Sequence, residues 1–81
     1  AKGLLGRKKI DSTEALWIRP CRDIHTFFMN FAIDCVFLDE KMKIIKIAAD
    51  VKPFKLVGPY WKADSVIEFQ SGFVEQKKLE V

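Results

Sequence analysis

The stretch "DCVFLDEKMKIIKIAAD", from Asp34 to Asp50, constrains this chain more than any other. Cys35 to Leu38 are β-prone, Asp39-Glu40-Lys41 form a polar corner, and apolar alternation resumes from Ile44 to Ala48, which predicts a β-hairpin. Side chains alternate along a strand, so Cys35, Phe37 and Asp39 share one face and Val36 and Leu38 the other. Both faces are apolar over the middle of this arm, which makes it a central strand needing cover on both sides. In the second arm Lys43, Ile45 and Ile47 alternate with Ile44, Lys46 and Ala48, so it should be only partly buried.

Cover for such a strand must come from a short chain. The 81 residues are read as one domain, 1–81, and a chain of this size encloses only about 60–65% of the surface that it exposes when unfolded. Hydrophobic residues make up 49% of the sequence, enough for a packed core and too many for a disordered segment. At the start, Gly3 and Gly6 flank Leu4 and Leu5, and interior glycines weaken helices, so residues 1–10 are expected to form one or two helical turns. Asp11 to Glu14 read as a loop, and Ala15 to Arg19 as a strand stopped by Pro20. Pro53, Gly58 and Pro59 mark a long connection, with at most an edge strand from Phe54 to Val57 and with Tyr60 and Trp61 as its anchors. Ser65 to Gln70 alternate as a strand, Ser71-Gly72 turn the chain, and Phe73 and Val74 against Lys77 and Lys78 have helical spacing. Four or five short strands with short helices near both ends predict a mainly β fold, a small antiparallel barrel or sandwich.

Chemistry concentrates in "PCRDIHTFFMNFAIDCVFLD", residues 20 to 39. Cys21, His25 and Cys35 are zinc-type ligands, but a structural site needs four, and the fourth would have to be Asp23, Asp34 or Asp39. Paired Cys-x-x-Cys spacing is absent, so neither a metal nor another cofactor is expected. A cysteine nucleophile would need His25 as its base and Asp34 to orient it. Cys35 starts a central strand, which leaves Cys21 as the better nucleophile, recognisable by a depressed thiol pKa. Two cysteines are too few to staple a small secreted domain; they read as buried thiols, with one disulfide between them the alternative. Phe27, Phe28, Met29 and Phe31 beside His25, Thr26 and Asn30 give the mixture found in pockets, apolar walls with a few orienting polar groups. The expected binding residues are Cys21, His25, Thr26, Phe28, Met29, Asn30 and Asp34, serving a small molecule or peptide.

The charges narrow the partners. Fourteen basic and eleven acidic residues give +3, spread along the chain, and only Arg7-Lys8-Lys9 approaches a basic cluster, so no nucleic acid is expected. No apolar run nears the ~20 residues of a membrane span, and no signal-peptide core is visible, so membrane attachment would need a segment that this sequence lacks. The compartment is left open.

Three ordered stretches, "GLLGR" (Gly3 to Arg7), the 20–39 motif and "VIEFQSG" (Val66 to Gly72), resemble the family called domain of unknown function 192. The resemblance implies a mainly β, single-domain bacterial or archaeal protein without an established activity, sometimes carrying an export signal or anchor. Ala15 stands where the family usually has glycine, and Asn30 where a basic residue is common. Relatives usually continue into a Gly-Asp pair and a closing strand. The resemblance therefore implies a missing last strand here, and an open strand edge is a route to self-association. Two further roles stay open beside binding, a Cys/His-dependent enzyme and a structural component of an envelope or surface assembly.

Overall fold

The computed structural model describes residues 10–27 and 29–81. The expected helical turn over 1–10, apart from Ile10, the Arg7-Lys8-Lys9 cluster and Phe28 lie outside the described residues. The elements run β1 (Ala15–Ile18), β2 (Ile24–His25), β3 (Ile33–Leu38), β4 (Ile44–Val51), β5 (Leu56–Val57), β6 (Ser65–Gln70) and α1 (Phe73–Lys77). Four strands form one antiparallel sheet in the order β1-β6-β3-β4, while β2 and β5 make a separate two-stranded ribbon.

The hairpin forms as its sequence demands. Asp39 Oδ1 accepts hydrogen bonds from the backbone N–H groups of Lys41 and Lys43, both at 2.9 Å, so one aspartate shapes the corner between β3 and β4. Those N–H groups hold the Asp39 carboxyl below the usual carboxylate range, with help from the nearby lysine charges. All six residues of β3 are buried, and β4 is only partly so.

The sheet has two covered faces. On one, Ile33, Cys35, Phe37 and Val66 pack against Ile10, Cys21, Ile24, Met29 and Ala63 from the loops. On the other, Val36 and Leu38 meet Val74 of α1, with Ile67, Phe69 and Leu79 around them. Phe37 is fully enclosed, and removing a side chain of that size from water contributes roughly 2–3 kcal/mol. Phe69 and Phe73 stack at 4.1 Å, fixing where α1 leaves the strand.

One expectation is corrected. The sheets do not close into a barrel: β6 returns to lie between β1 and β3, leaving β1 and β4 as the outer strands. Loops and α1 supply the cover that a closed barrel would otherwise give. Among the described residues there is one short helix, α1, which is the expected one after Ser71-Gly72. β5 falls within the edge strand allowed from Phe54 to Val57, while its partner β2 was not expected, because a two-residue strand carries no alternation to read.

The loop layer is held by backbone bonds. Cys21 N–H donates to the Asp64 carbonyl, Tyr60 N–H to the Arg22 carbonyl, and Asp64 N–H to the Leu38 carbonyl, at 2.9, 2.9 and 2.7 Å. The Arg19–Pro20 and Gly58–Pro59 peptides are cis. Gly58 has φ +95°, and a Cβ there would lie 2.7 Å from the Arg22 carbonyl oxygen, the acceptor of the Tyr60 bond. A left-handed conformation and a backbone clash act together, so Gly58→Ala is expected to cost about 2–4 kcal/mol. Urea denaturation reads this; a loss below about 1 kcal/mol would contradict the close approach.

Candidate functional site

The residues expected to bind do not gather around one hollow. Thr26 is fully buried; its hydroxyl donates to the Lys52 carbonyl at 2.7 Å and accepts from Lys55 N–H at 2.9 Å, stapling the 52–55 turn to β2. Met29 is 2% exposed and belongs to the core. Asp34 Oδ1 accepts from Asp50 N–H at 2.8 Å, and Oδ2 from Gly72 N–H at 3.1 Å and Val74 N–H at 2.9 Å. Gly72 has no side chain with which to cap α1, so a carboxylate from β3 does it. Both Asp34 oxygens are thus committed to backbone, and the expected pairing with His25 does not form.

His25 is half-buried on β2, its ring 5.2 Å from that of Phe27, and its Nδ1 is buried without a hydrogen-bond partner. Asn30 is exposed at a bend, and Phe28 lies outside the described residues. The groove expected along residues 25 to 31 is therefore not supported. The sequence argument was that apolar material there exceeded what one small core could cover. In the structure this segment is itself part of the cover, with Ile24 and Met29 packed onto the sheet.

Two of the predicted site residues meet a concavity, Cys21 and Asp34, in different places. Two contiguous hollows, about 430 and 500 Å³, open beside the 20–23 and 58–64 turns and share Arg22, Trp61, Ala63 and Asp64 as lining. The larger is walled by Pro20, Cys21, Asp23 and Pro59, the smaller by Asp39, Glu40, Lys41 and Lys62. Trp61 stands between them with 76% of its surface exposed. Tyr60, by contrast, packs edge-on against Phe37 at 4.9 Å. Tyr60 is the anchor of this connection and Trp61 is not.

A third hollow, about 320 Å³, is lined by Asp34, Asp50, Ser71, Gly72 and Glu75. Two of its three carboxylates are occupied: Asp34 by backbone, Asp50 by the Ser71 hydroxyl at 2.7 Å and Lys52 Nζ at 2.8 Å. Those contacts, Lys52 before Ser71, draw the Asp50 carboxyl below its ordinary range.

The thiols do not have the electrostatics of nucleophiles. Burial pushes the Cys21 thiol up, and its S–H donates to the Asp23 carbonyl at 2.9 Å. Burial pushes Cys35 up much further, with the nearby carboxylates of Glu68 and Asp34 adding to it. Both thiols are free, and neither environment stabilises a thiolate. Among the described residues no group of three or more His, Cys, Asp or Glu side chains is arranged to hold a metal ion.

Glu68 is the residue whose importance the sequence reading missed. It is fully buried at the centre of β6, paired across the sheet with Cys35 and Leu16, and neither carboxylate oxygen has a hydrogen-bond partner. Burial pushes its pKa up to about 7. A signal for this was present: Glu68 shares a face with Val66 while Ile67 and Phe69 occupy the other, so an acid sits in a strand that is apolar on both sides. Trp61, Arg22, Pro59 and Lys62 were missed as wall residues because turns carry no period that assigns a side chain to solvent or core.

The fold is shared with a solved structure, the crystal structure of a protein of unknown function from Novosphingobium aromaticivorans DSM 12444. The TM-score is 0.83 at 18% identity, over 96% of this chain and 60% of that one. At that identity the likeness shows the fold alone. The chain spans 60% of the length of the structure it matches. Among the described residues no helix is long and apolar enough to cross a membrane. No functionally curated protein matches the chain. The family model described as "Uncharacterized ACR" matches residues 1–81, so the chain belongs to the DUF192 family, the domain of unknown function 192.

Proposed function

We propose that this domain is a binding module whose site is the double cleft around Trp61. The observation that carries this reading is an indole 76% exposed at the junction of two hollows, whereas Trp17, the other tryptophan, is 51% exposed and lines neither of them. Single exposed apolar side chains are ordinary. One set between Pro20 and Pro59, with charged groups on the adjoining wall, has the composition of a ligand site, an apolar platform beside a few orienting polar groups. Cys21 lines it as a neutral wall residue, and the raised thiol favours binding over a cysteine-dependent reaction.

The test is an amide NMR screen of the folded chain with a cocktail of aromatic and alicyclic fragments and short peptides. Shifts are expected to cluster at residues 19–23 and 58–64. The Trp61→Ala variant should lose about tenfold or more in affinity, an aromatic anchor being worth over 1 kcal/mol, while its denaturation midpoint hardly moves. Shifts centred on residues 25–31, or an unchanged affinity in the variant, would overturn the reading.

A further inference from the structure

We propose that the cleft takes an organic anion, a flat apolar ring seated on Trp61 and the two prolines with a carboxylate or phosphate group held by Arg22, Lys41 and Lys62. The inference rests on the cleft being a binding site and adds the class of its ligand. Its basis is which charges on the wall are already occupied. Asp64 Oδ2 is held by Arg19 Nε at 2.7 Å, and Asp39 Oδ1 by two backbone N–H groups. Each of those contacts occupies one oxygen of its carboxylate. The side chains of Arg22, Lys41 and Lys62 make no ion pair or hydrogen bond with any described residue, and all three are exposed. Lys46, in contrast, lies over the Tyr60 ring and away from this wall. The same wall carries three carboxylates, Asp39, Glu40 and Asp64, of which Glu40 makes no ion pair or hydrogen bond with a described residue, while Asp39 also lies within electrostatic reach of Lys41.

The two hollows differ in character, and this gives the ligand its shape. The smaller adds Lys41 and Lys62 to the shared Arg22, whereas the larger adds Pro20, Cys21 and Pro59, with Asp23 as its one further charge. A ligand lying across Trp61 would put an apolar body in the larger and a negative group in the smaller. The indole face accepts a ring by stacking, and Arg22, shared by both hollows, offers a planar fork of donors to an oxyanion. A carboxylate and a phosphate present the same chemistry to this wall, and the test separates them. A long polyanion is disfavoured by the carboxylates on the same wall.

The probes are phenyl phosphate and phenylacetate, with benzyl alcohol as the neutral ring and inorganic phosphate as the head group alone, each titrated by amide NMR. The anions are expected to shift residues on both sides of Trp61 and to bind at least about fivefold tighter than benzyl alcohol. Raising the salt should reduce that advantage. The double variant Arg22→Gln, Lys62→Gln replaces exposed side chains, so its spectrum should stay that of a folded domain. It should weaken the anions about tenfold and leave benzyl alcohol unchanged. The tighter of the two anions assigns the head group. Equal binding of benzyl alcohol and the anions, or of inorganic phosphate and phenyl phosphate, overturns this inference while leaving the cleft a site. Absence of any shift at the cleft with all four probes overturns the binding reading with it.

Discussion

Replacing Glu68 by glutamine is expected to stabilise the domain at pH 8 by about 3 kcal/mol and to remove most of its loss of stability between pH 4.5 and 7. The argument is one of linkage. Glu68 has an ordinary value of 4.5 and is pushed up to about 7 by burial, so between those values the folded state holds a proton that the unfolded state has lost. An acid with a raised pKa therefore imposes nothing below about 4.5, weakens the fold progressively as the pH rises, and imposes its full penalty above about 7. Glutamine has nearly the same shape and no charge to desolvate. Wild type and variant should be closest in stability near pH 4.5 and diverge upwards. For a domain of this size the difference at pH 8 amounts to roughly 10–20 °C in Tm. Asp39 and Asp50 act in the opposite sense, since their carboxyls are drawn below 3.8 and their support is lost only as the pH falls through that region. Urea denaturation at a series of pH values checks the result. Parallel curves for wild type and variant would show that the buried carboxylate is not the source of the dependence.

Asp34→Ala is the second large effect, an expected loss of about 3–5 kcal/mol. One carboxylate accepts from three backbone N–H groups belonging to Asp50, Gly72 and Val74. It thereby ties the end of β4, the turn after β6 and the first residues of α1 to the central strand. Removing it leaves those donors beside an apolar methyl, and a buried donor without a partner costs about 1–3 kcal/mol. Asp34→Asn should be intermediate, since one oxygen remains while the amide –NH₂ faces a donor. Asp50→Asn, which weakens the surface contacts with Ser71 and Lys52 and still suits the left-handed backbone at φ 52°, is the control and should stay within about 1 kcal/mol of wild type. A loss from Asp34→Ala no larger than the control's would contradict the role given to Asp34.

Where the chain carries a period, its structure was legible. Ser65 to Gln70 alternates and is strand β6, the hairpin across Asp39-Glu40-Lys41 is β3 and β4, and the spacing of Phe73, Val74 and Lys77 is α1. The burial of β3 on both faces followed from its composition, because the unbroken apolar run from Cys35 to Leu38 presents apolar side chains to both sides. Topology was less legible. Nothing local tells β6 to insert between β1 and β3 rather than add to an edge, since that choice depends on pairing far along the chain. The candidate site was legible only at Cys21. Residues 25 to 31 read as a pocket because aromatic walls and aromatic core have one composition, and only the register of the loop against the sheet separates them. Trp61 read as an anchor because tryptophan is usually buried, and its neighbour Tyr60 has that role instead.

The account separates a supporting segment, residues 25 to 34, from a recognising surface at Trp61. The measurement that tests this most directly is a titration of phenyl phosphate into wild type, Trp61→Ala and His25→Ala, followed by amide NMR on all three. The account predicts that His25→Ala binds as wild type does, whatever its stability, and that Trp61→Ala stays fully folded and loses binding about tenfold or more. Binding retained by Trp61→Ala and lost by a folded His25→Ala would contradict it.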